Sequence, residues 1–592
     1  MLTSQVAPFA LVGFVLGLVL TLACERVAPR VGLVARPTAD RWHRTVVPMM
    51  GGVAIVLGAV LPTLVAASSN RNLVILTVTA LAMAVVGFVD DMRRLNAQAK
   101  LLAQIVLSAV LLLFGLELQL TGYRLVDIFV TLFWLVGITN AFNLLDNMDG
   151  LAATIAIVVA SFRLLFAYSD GDTAGMQVTA AFMGAVGGFL VRNFAPAKIF
   201  MGDAGSLFVG FFLAGLSLVS SDRAYSRGVA AVLVIPVLLL LIPIFDTAFV
   251  TLTRLLAGRS PAVGGRDHTS HRLVAIGLSE RRAVLLFAVL SAASGGVALF
   301  SYRVGLAQAV VLLALLVIGL VLLGIHLSRV RVVHTSEPRG SGPVVRIIAD
   351  FQYKRQVMTL LLDVTFIVLA YYSAYLTRFE HEFSLYLGEL YGSLPIVLLV
   401  QVVTLAAFGL YRGVWRYTTL SDAIRIVKAV TVAVVLSVVV LVYTHRFVGF
   451  SRTVFLLDWL LLITLVGGSR VSFRVFGELL RPPRRPSADR VLVYGAGSGG
   501  ELIVREILNN ITLQRVPVGF IDDDRNKHHT RIHGLPVLGG SDQLETIVRD
   551  RRVSELIVSS TTIEPDRLQT VTQVCRRLEI AVRHASLRLD EP

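Results

Sequence analysis

The stretch Asn140–Leu151, NAFNLLDNMDGL, places Asn140, Asn143, Asp146 and Asp149 at the end of a hydrophobic span. An ionisable side chain at membrane depth is costly unless it faces a wet cavity, a metal or a partner, so this cluster is a candidate for chemistry. Its spacing predicts Asn140, Asn143 and Asp146 on one helical face, with Gly150 letting the chain turn afterwards. The competing use is a helix cap with spare acids.

Similar groupings recur along the chain. Asp90 and Asp91 follow Gly87, with Arg93, Arg94, Lys100 and Gln104 next. Adjacent carboxylates beside cations can hold a divalent metal or accept a proton, and the cations can take phosphate oxygens, although a solvated loop has the same look. Asn193, Lys198 and Gly202-Asp203-Ala204-Gly205-Ser206 form a loop in which Asp203 suits Mg²⁺, an ion that prefers oxygen ligands and shares them with phosphate. Asp246 follows Pro243 inside an apolar span. Asp267, His268, His271 and Arg272 gather donors and a titratable base. The two histidines suggest zinc, but no further Cys or His set supports it, and phosphate binding is the better use. Carboxylates, cations and imidazoles in one membrane-embedded site suit metal-assisted phosphoryl transfer to a lipid acceptor.

These residues must be positioned by membrane helices. The 592-residue chain is 55% hydrophobic with mean hydropathy +0.76, too apolar for a set of soluble domains. The expected fold is a polytopic α-helical membrane protein of about 11 + 4 spans with a C-terminal cytoplasmic α/β Rossmann-like domain. Apolar runs long enough to cross a bilayer fall near 6–24, 47–67, 73–89, 101–118, 125–145, 151–168, 176–191, 207–220, 229–250, 282–300 and 306–325. The first has no basic start and ends in Cys24-Glu25-Arg26, so it reads as a retained helix rather than a signal peptide. Loops rich in Arg and Lys alternate with short, nearly neutral ones. This places the amino terminus outside and every motif cluster on the cytoplasmic side. The net charge of +15 is read as this loop bias, with no nucleic-acid partner expected. Cys24 and Cys575 read as ordinary buried residues.

Beyond residue 327 the composition becomes polar and includes Pro338–Pro343, PRGSGP, a linker pattern. The expected domains are 1–327, a linker at 328–356, a four-span membrane unit at 357–480 and a soluble tail at 488–592. Its four spans fall near 357–375, 395–408, 429–444 and 454–467. The tail alternates strands at 490–494, 516–521 and 555–559 with helix, and Gly495, Gly497 and Gly500 follow the first strand. Backbone amides of such a turn can meet a phosphate, and Asp522 stands where a ribose hydroxyl could be held, so NAD(P) or another nucleotide is the candidate ligand.

At Gly87–Gln104, Asn140–Leu151, Asn193–Ser206 with Phe200-Met201-Gly202-Asp203, and Asp267–Leu273, the chain resembles the polyprenyl-phosphate N-acetylhexosamine-1-phosphate transferases, over about residues 1–327. The resemblance implies transfer of a sugar 1-phosphate from a UDP-sugar to undecaprenyl phosphate with release of UMP, initiating cell-wall or surface-glycan synthesis at the bacterial inner membrane. It implies Mg²⁺, with Mn²⁺ as the alternative, bound by Asp203 and Asp146. Asp90 and Asp91 would serve the lipid phosphate, with His268, His271 and Arg272 on the donor's diphosphate. Lys100, Asn140, Asn143, Asp146, Asp149, Asn193, Lys198, Arg41 and His43 are the expected substrate contacts, and a homodimer is expected. The first loop departs from the family's pattern at Ala35, Asp40 and Arg41 while keeping Pro37, His43, Pro48, Gly51 and Gly52, and Ser270 stands at a position usually held by histidine.

The second half is similar to the amino-terminal part of membrane-bound nucleotide-sugar dehydratase/epimerase proteins, on Gly409–Tyr417, Ser451-Arg452 with Asp458, Gly495–Gly500 and Gly519–Asp524. No Tyr/Lys pair for sugar chemistry follows, so this half is expected to regulate, recruit or dimerise. The competing functions are a nucleotide-sugar-sensing scaffold without catalysis and a proton-coupled transporter. Inverted repeats would favour the transporter, and loss of Asp90, Asp91 or Asp203 the scaffold.

Overall fold

A computed structural model describes residues 2–35, 46–68, 70–121, 123–219, 229–256, 265, 267–304, 306–328, 351–411, 420–446, 450–479, 489–509, 515–528, 530–559 and 563–585. Arg41 and His43 lie outside the described residues, as does the expected linker from 329 to 350. The chain divides into two compact units, Met1–Arg481 and Pro482–Pro592.

The first unit opens with α1 (Leu2–Val31), a short β1–β2 pair (Val34–Ala35, Val47–Pro48), α2 (Gly51–Ala67), α3 (Arg71–Arg93), α4 (Ala97–Leu113), α5 (Arg124–Leu145), α6 (Leu151–Ser169), α7 (Thr173–Asn193) and α8 (Gly202–Val219). It continues with α9 (Val229–Leu239), α10 (Leu241–Leu256), the short α11 (Thr269–Ala275), α12 (Glu280–Val304) and α13 (Leu306–Ser328). Four more helices follow: α14 (Phe351–Phe379), α15 (Leu387–Ala407), α16 (Leu420–His445) and α17 (Arg452–Leu479). Among the described residues 12 helices are long and apolar enough to cross a membrane, or 13 counting one bent pair, and α2 and α4 are shorter apolar helices. The chain is a multi-pass membrane protein, and each expected span but the ninth falls on one of these elements.

Two expectations need correcting. The second run does not begin as helix, because Val47 and Pro48 form β2 and α2 starts at Gly51. The ninth run, 229–250, is not one straight span: α9 and α10 meet at 75°. Pro243 has no N–H to offer the carbonyl of Leu239 four residues earlier, so the helix loses a rung where it turns.

Side-chain-free contacts bring the helices together. A Cβ on Gly13 or Gly17 of α1 would lie 2.3–2.4 Å from carbonyls of Ala181 and Ala185 on α7, the small-residue packing that lets membrane helices approach closely. Gly87 of α3 does the same against the Asp203 carbonyl at 2.3 Å, which sets the α3–α8 crossing beside the acids. Asn70, Asn96 and Asp172 cap α3, α4 and α7 through their side-chain oxygens. One apolar core spans α1–α13, and a second, built from α14–α17, also takes in Ile318 and Leu322 of α13. Inside the second core Arg470 grips Asp363 at 2.5 and 2.6 Å, and Gln401 donates to Asp458 at 2.8 Å.

The second unit is a four-stranded parallel sheet, order β4-β3-β7-β8, from β3 (Asp489–Tyr494), β4 (Arg515–Ile521), β7 (Glu555–Val558) and β8 (Ala581–His584), with a small β5–β6 hairpin at Arg531–Ile532 and Leu535–Pro536. Helices α18 (Ser498–Asn509), α19 (Leu544–Arg551) and α20 (Pro565–Arg577) complete it. Val491 to Tyr494 are all buried, the near-continuous apolar run expected of a central parallel strand. The strand β8 and the hairpin were not foreseen from the sequence.

Candidate active site

Two polar groups form at the helix ends. The first gathers α3, α4, α5 and α8. Lys100, one turn into α4, places its ammonium 2.8 Å from Asp90 Oδ2 and 3.3 Å from Asn143 Oδ1, and pairs with Asp203. Asn143 donates to Asp203 Oδ1 at 2.8 Å and to Ser206 at 2.9 Å. Asn140 and Gln104 exchange amide hydrogen bonds alongside. Asp90 and Asp91, adjacent in sequence, do different things. Asp91 accepts the backbone N–H groups of Asp203 and Ala204 at 2.9 and 3.0 Å, capping α8, whose entry is the left-handed Gly202 at φ +70°. Asp90 accepts from Leu95 N–H and turns its other oxygen to Lys100.

Asp146 stands not on the α5 face but at its C-cap, just past the last helical turn. Asp149 accepts the Ala197 N–H at 2.8 Å, and the buried Asn193 bridges Gly150 N–H and the Ile199 carbonyl, so both tie the two motif loops together. Lys198 is exposed.

The second group lies where α10 meets the loop before α11. The buried Asp246 binds His268 Nδ1 at 2.8 Å and the Thr269 N–H at 2.9 Å, and takes the Thr269 hydroxyl. A ring nitrogen facing a carboxylate carries the proton, which fixes the tautomer and orientation of the imidazole. Asp267 is held by the Arg254 fork at 2.9 and 2.6 Å. Burial alone would push its carboxyl up, and the guanidinium more than offsets this, bringing it to about 2. His271 packs edge-on to His268 with ring centres 6.0 Å apart. Arg272, expected on a phosphate, donates instead to the carbonyls of Asp267, Leu327 and Ser328. Ser270 donates to Asn147 at 2.6 Å and so links the two groups. Sequence reasoning missed Arg254 and Asn147 and marked Ser270 only as a departure from the family's histidine, since a cation at a span's end and two small polar residues carry no pattern of their own.

Among the described residues no group of three or more His, Cys, Asp or Glu side chains is placed to hold a metal ion. The first group nonetheless converges two carboxylates and an amide oxygen on one cationic centre, the Lys100 ammonium. That oxygen set suits a hard ion such as Mg²⁺, which takes one or two protein carboxylates and completes its shell with water and phosphate.

In the second unit the glycine turn forms as expected, and a Cβ on Gly500 would lie 2.0 Å from the Gly495 carbonyl. Asp522 accepts Ala496 N–H at 2.7 Å and Lys527 at 3.0 Å. Burial raises its pKa, but the N–H groups of Asp524 and Ala496 and the Lys527 cation outweigh that and keep the carboxyl below its usual range.

Residues 73–221 match the family model "Glycosyl transferase family 4", and residues 406–585 match that of a CoA-binding domain. A probable undecaprenyl-phosphate N-acetylglucosaminyl 1-phosphate transferase of Bacillus subtilis is 35% identical over 279 residues, covering 45% of this chain and 77% of that protein. A decaprenyl-phosphate N-acetylglucosaminephosphotransferase of Mycolicibacterium smegmatis is 34% identical over 296 residues, covering 44% and 73%. The probable polysaccharide biosynthesis protein EpsC of Bacillus subtilis is 31% identical over 196 residues, 33% of this chain and 32% of that protein.

Proposed function

This chain belongs to the polyprenyl-phosphate sugar-1-phosphate transferases of glycosyl transferase family 4, and from that premise we propose that it moves an N-acetylhexosamine 1-phosphate from a UDP-sugar to undecaprenyl phosphate, releasing UMP, at the cytoplasmic face of the inner membrane. The observation that carries this reading is the convergence of Asp90, Lys100, Asn143 and Asp203 at the ends of four helices. Lys100 is the cation for the acceptor phosphate, held in place by two carboxylates until the lipid arrives. Asp203 and Asp146 would hold Mg²⁺, with Asp90 beside Lys100 at the acceptor phosphate. When bound, the ion would offset the negative charge of the diphosphate.

His268, oriented by Asp246 through Nδ1, turns Nε2 toward the departing UMP phosphate, where a polar contact strengthens as negative charge develops. Asp149 and Asn193 shape the donor loop from behind, while Lys198, Arg41 and His43 complete the substrate contacts. The Gly495–Gly500 turn with Asp522 is assigned a nucleotide, and the assembly a homodimer. Purified protein supplied with Mg²⁺, undecaprenyl phosphate and a panel of UDP-sugars should release UMP with one of them. No UMP from any sugar would overturn the assignment.

A further inference from the structure

Helix α13 is shared between two cores. Leu320, Leu323 and Leu327 pack into the core of α1–α13, whereas Ile318 and Leu322 pack into that of α14–α17, against a set that includes Phe366 and Ile367. Its final turn ends on carbonyls that no later helical N–H can take, the negative end of the helix. Arg272 supplies the missing donors: Nη1 reaches Leu327 O at 3.0 Å and Ser328 O at 3.4 Å. The same guanidinium donates through Nε to Asp267 O at 2.9 Å and lies 5.3 Å over the Phe249 ring of α10. One buried cation thus fastens the segment carrying Asp267, His268 and His271 to the end of a helix whose other face belongs to the second membrane unit.

We propose that Arg272 is a positioning residue that fixes the 267–276 segment on α13, and that through this contact the α14–α17 unit sets the rate of the transferase. The rate half rests on the function proposed above. The mechanical half does not. α13 has a face in each core, so any shift of the α14–α17 helices that moves α13 moves the carbonyls Arg272 holds, and with them the segment that carries His268. Lysine keeps the charge but loses the planar fork, so Arg272→Lys should uncouple α14–α17 from the 267–276 segment without leaving a buried hole.

The test is a double-mutant cycle in the full chain with two readouts. The Ile318→Ala/Leu322→Ala pair touches only the second core. It should speed hydrogen exchange of the 267–276 amides by about threefold or more and lower kcat for UMP release by a similar factor, with KM for undecaprenyl phosphate unchanged. In an Arg272→Lys background the same pair should add nothing further to either readout. Leu361→Ala, on the exposed side of α14, should change neither. If the alanine pair fails to fold, Ile318→Val/Leu322→Ala replaces it. Additive effects in the cycle, or unchanged exchange at 267–276, would overturn the proposal. Loss of UMP release by the wild type with the exchange coupling intact would instead overturn the assigned reaction alone.

Discussion

At the scale of single residues, the adjacent acids give the sharpest test of how roles divide. Asp91 caps α8, so Asp91→Ala should destabilise the protein by roughly 1–2 kcal/mol as well as lowering activity. Asp90→Asn should leave thermal unfolding nearly unchanged while UMP release falls at least about tenfold, the scale of ~1.4 kcal/mol in transition-state binding. Asp203→Asn keeps the shape and removes the charge, and should abolish release in protein that still elutes as a folded species. Equal melting losses for the two neighbours would contradict the division. These acids were legible in the sequence as a candidate site because charge at membrane depth is rare. Their separate duties were not, since which oxygen meets which N–H depends on where Gly87 lets α8 cross α3. Arg272 was legible as a member of the polar cluster, while its hold on α13 was not, because the Leu327 carbonyl it meets lies fifty-five residues away.

At the scale of elements, the bend between α9 and α10 turns an apolar run into a support for the histidine loop. The run read as one span because hydropathy is blind to a missing N–H, and Pro243 acts only where the carbonyl of Leu239 would have needed it. Past the bend, Arg254 and Asp267 lock α10 to the loop. Removing the guanidinium by Arg254→Met leaves a buried carboxylate unpaired, which costs about 3–5 kcal/mol and should appear as a large drop in melting temperature at neutral pH. The pair also has a defined pH signature. The folded pKa of Asp267 is depressed from 3.8 to about 2, so its contribution is fully present above pH 4 and is lost as pH falls toward 2. The melting difference between wild type and Arg254→Met should shrink across that window; a constant difference would contradict the assignment.

At the scale of the whole molecule, the membrane helices and the parallel sheet were legible from hydropathy and from the glycine turn after an apolar strand. The sharing of α13 was not, because a uniformly apolar helix gives no sign that its two faces serve different cores. The α14–α17 unit and the soluble unit are expected to act on the transferase rather than catalyse a reaction of their own. A chain cut after residue 341 retains α13 and the Leu327 and Ser328 carbonyls, so it should still release UMP, at an altered rate. A folded 1–341 protein with no release would place part of the active site in the second half, and a 345–592 fragment that dehydrates or epimerises a UDP-sugar would contradict the expectation from the other side. The contact of Gly87 with the Asp203 backbone bears on the surrounding lipid. Membrane helices answer a bilayer of the wrong thickness by tilting, and side chains reaching across a gap would be drawn apart as they do. Here the acids stand beside a point where two backbones touch, near the pivot of any such tilt. Turnover should therefore vary little between vesicles of short-chain and long-chain lipid, and a Gly87→Ala chain should acquire a dependence on bilayer thickness that the wild type lacks.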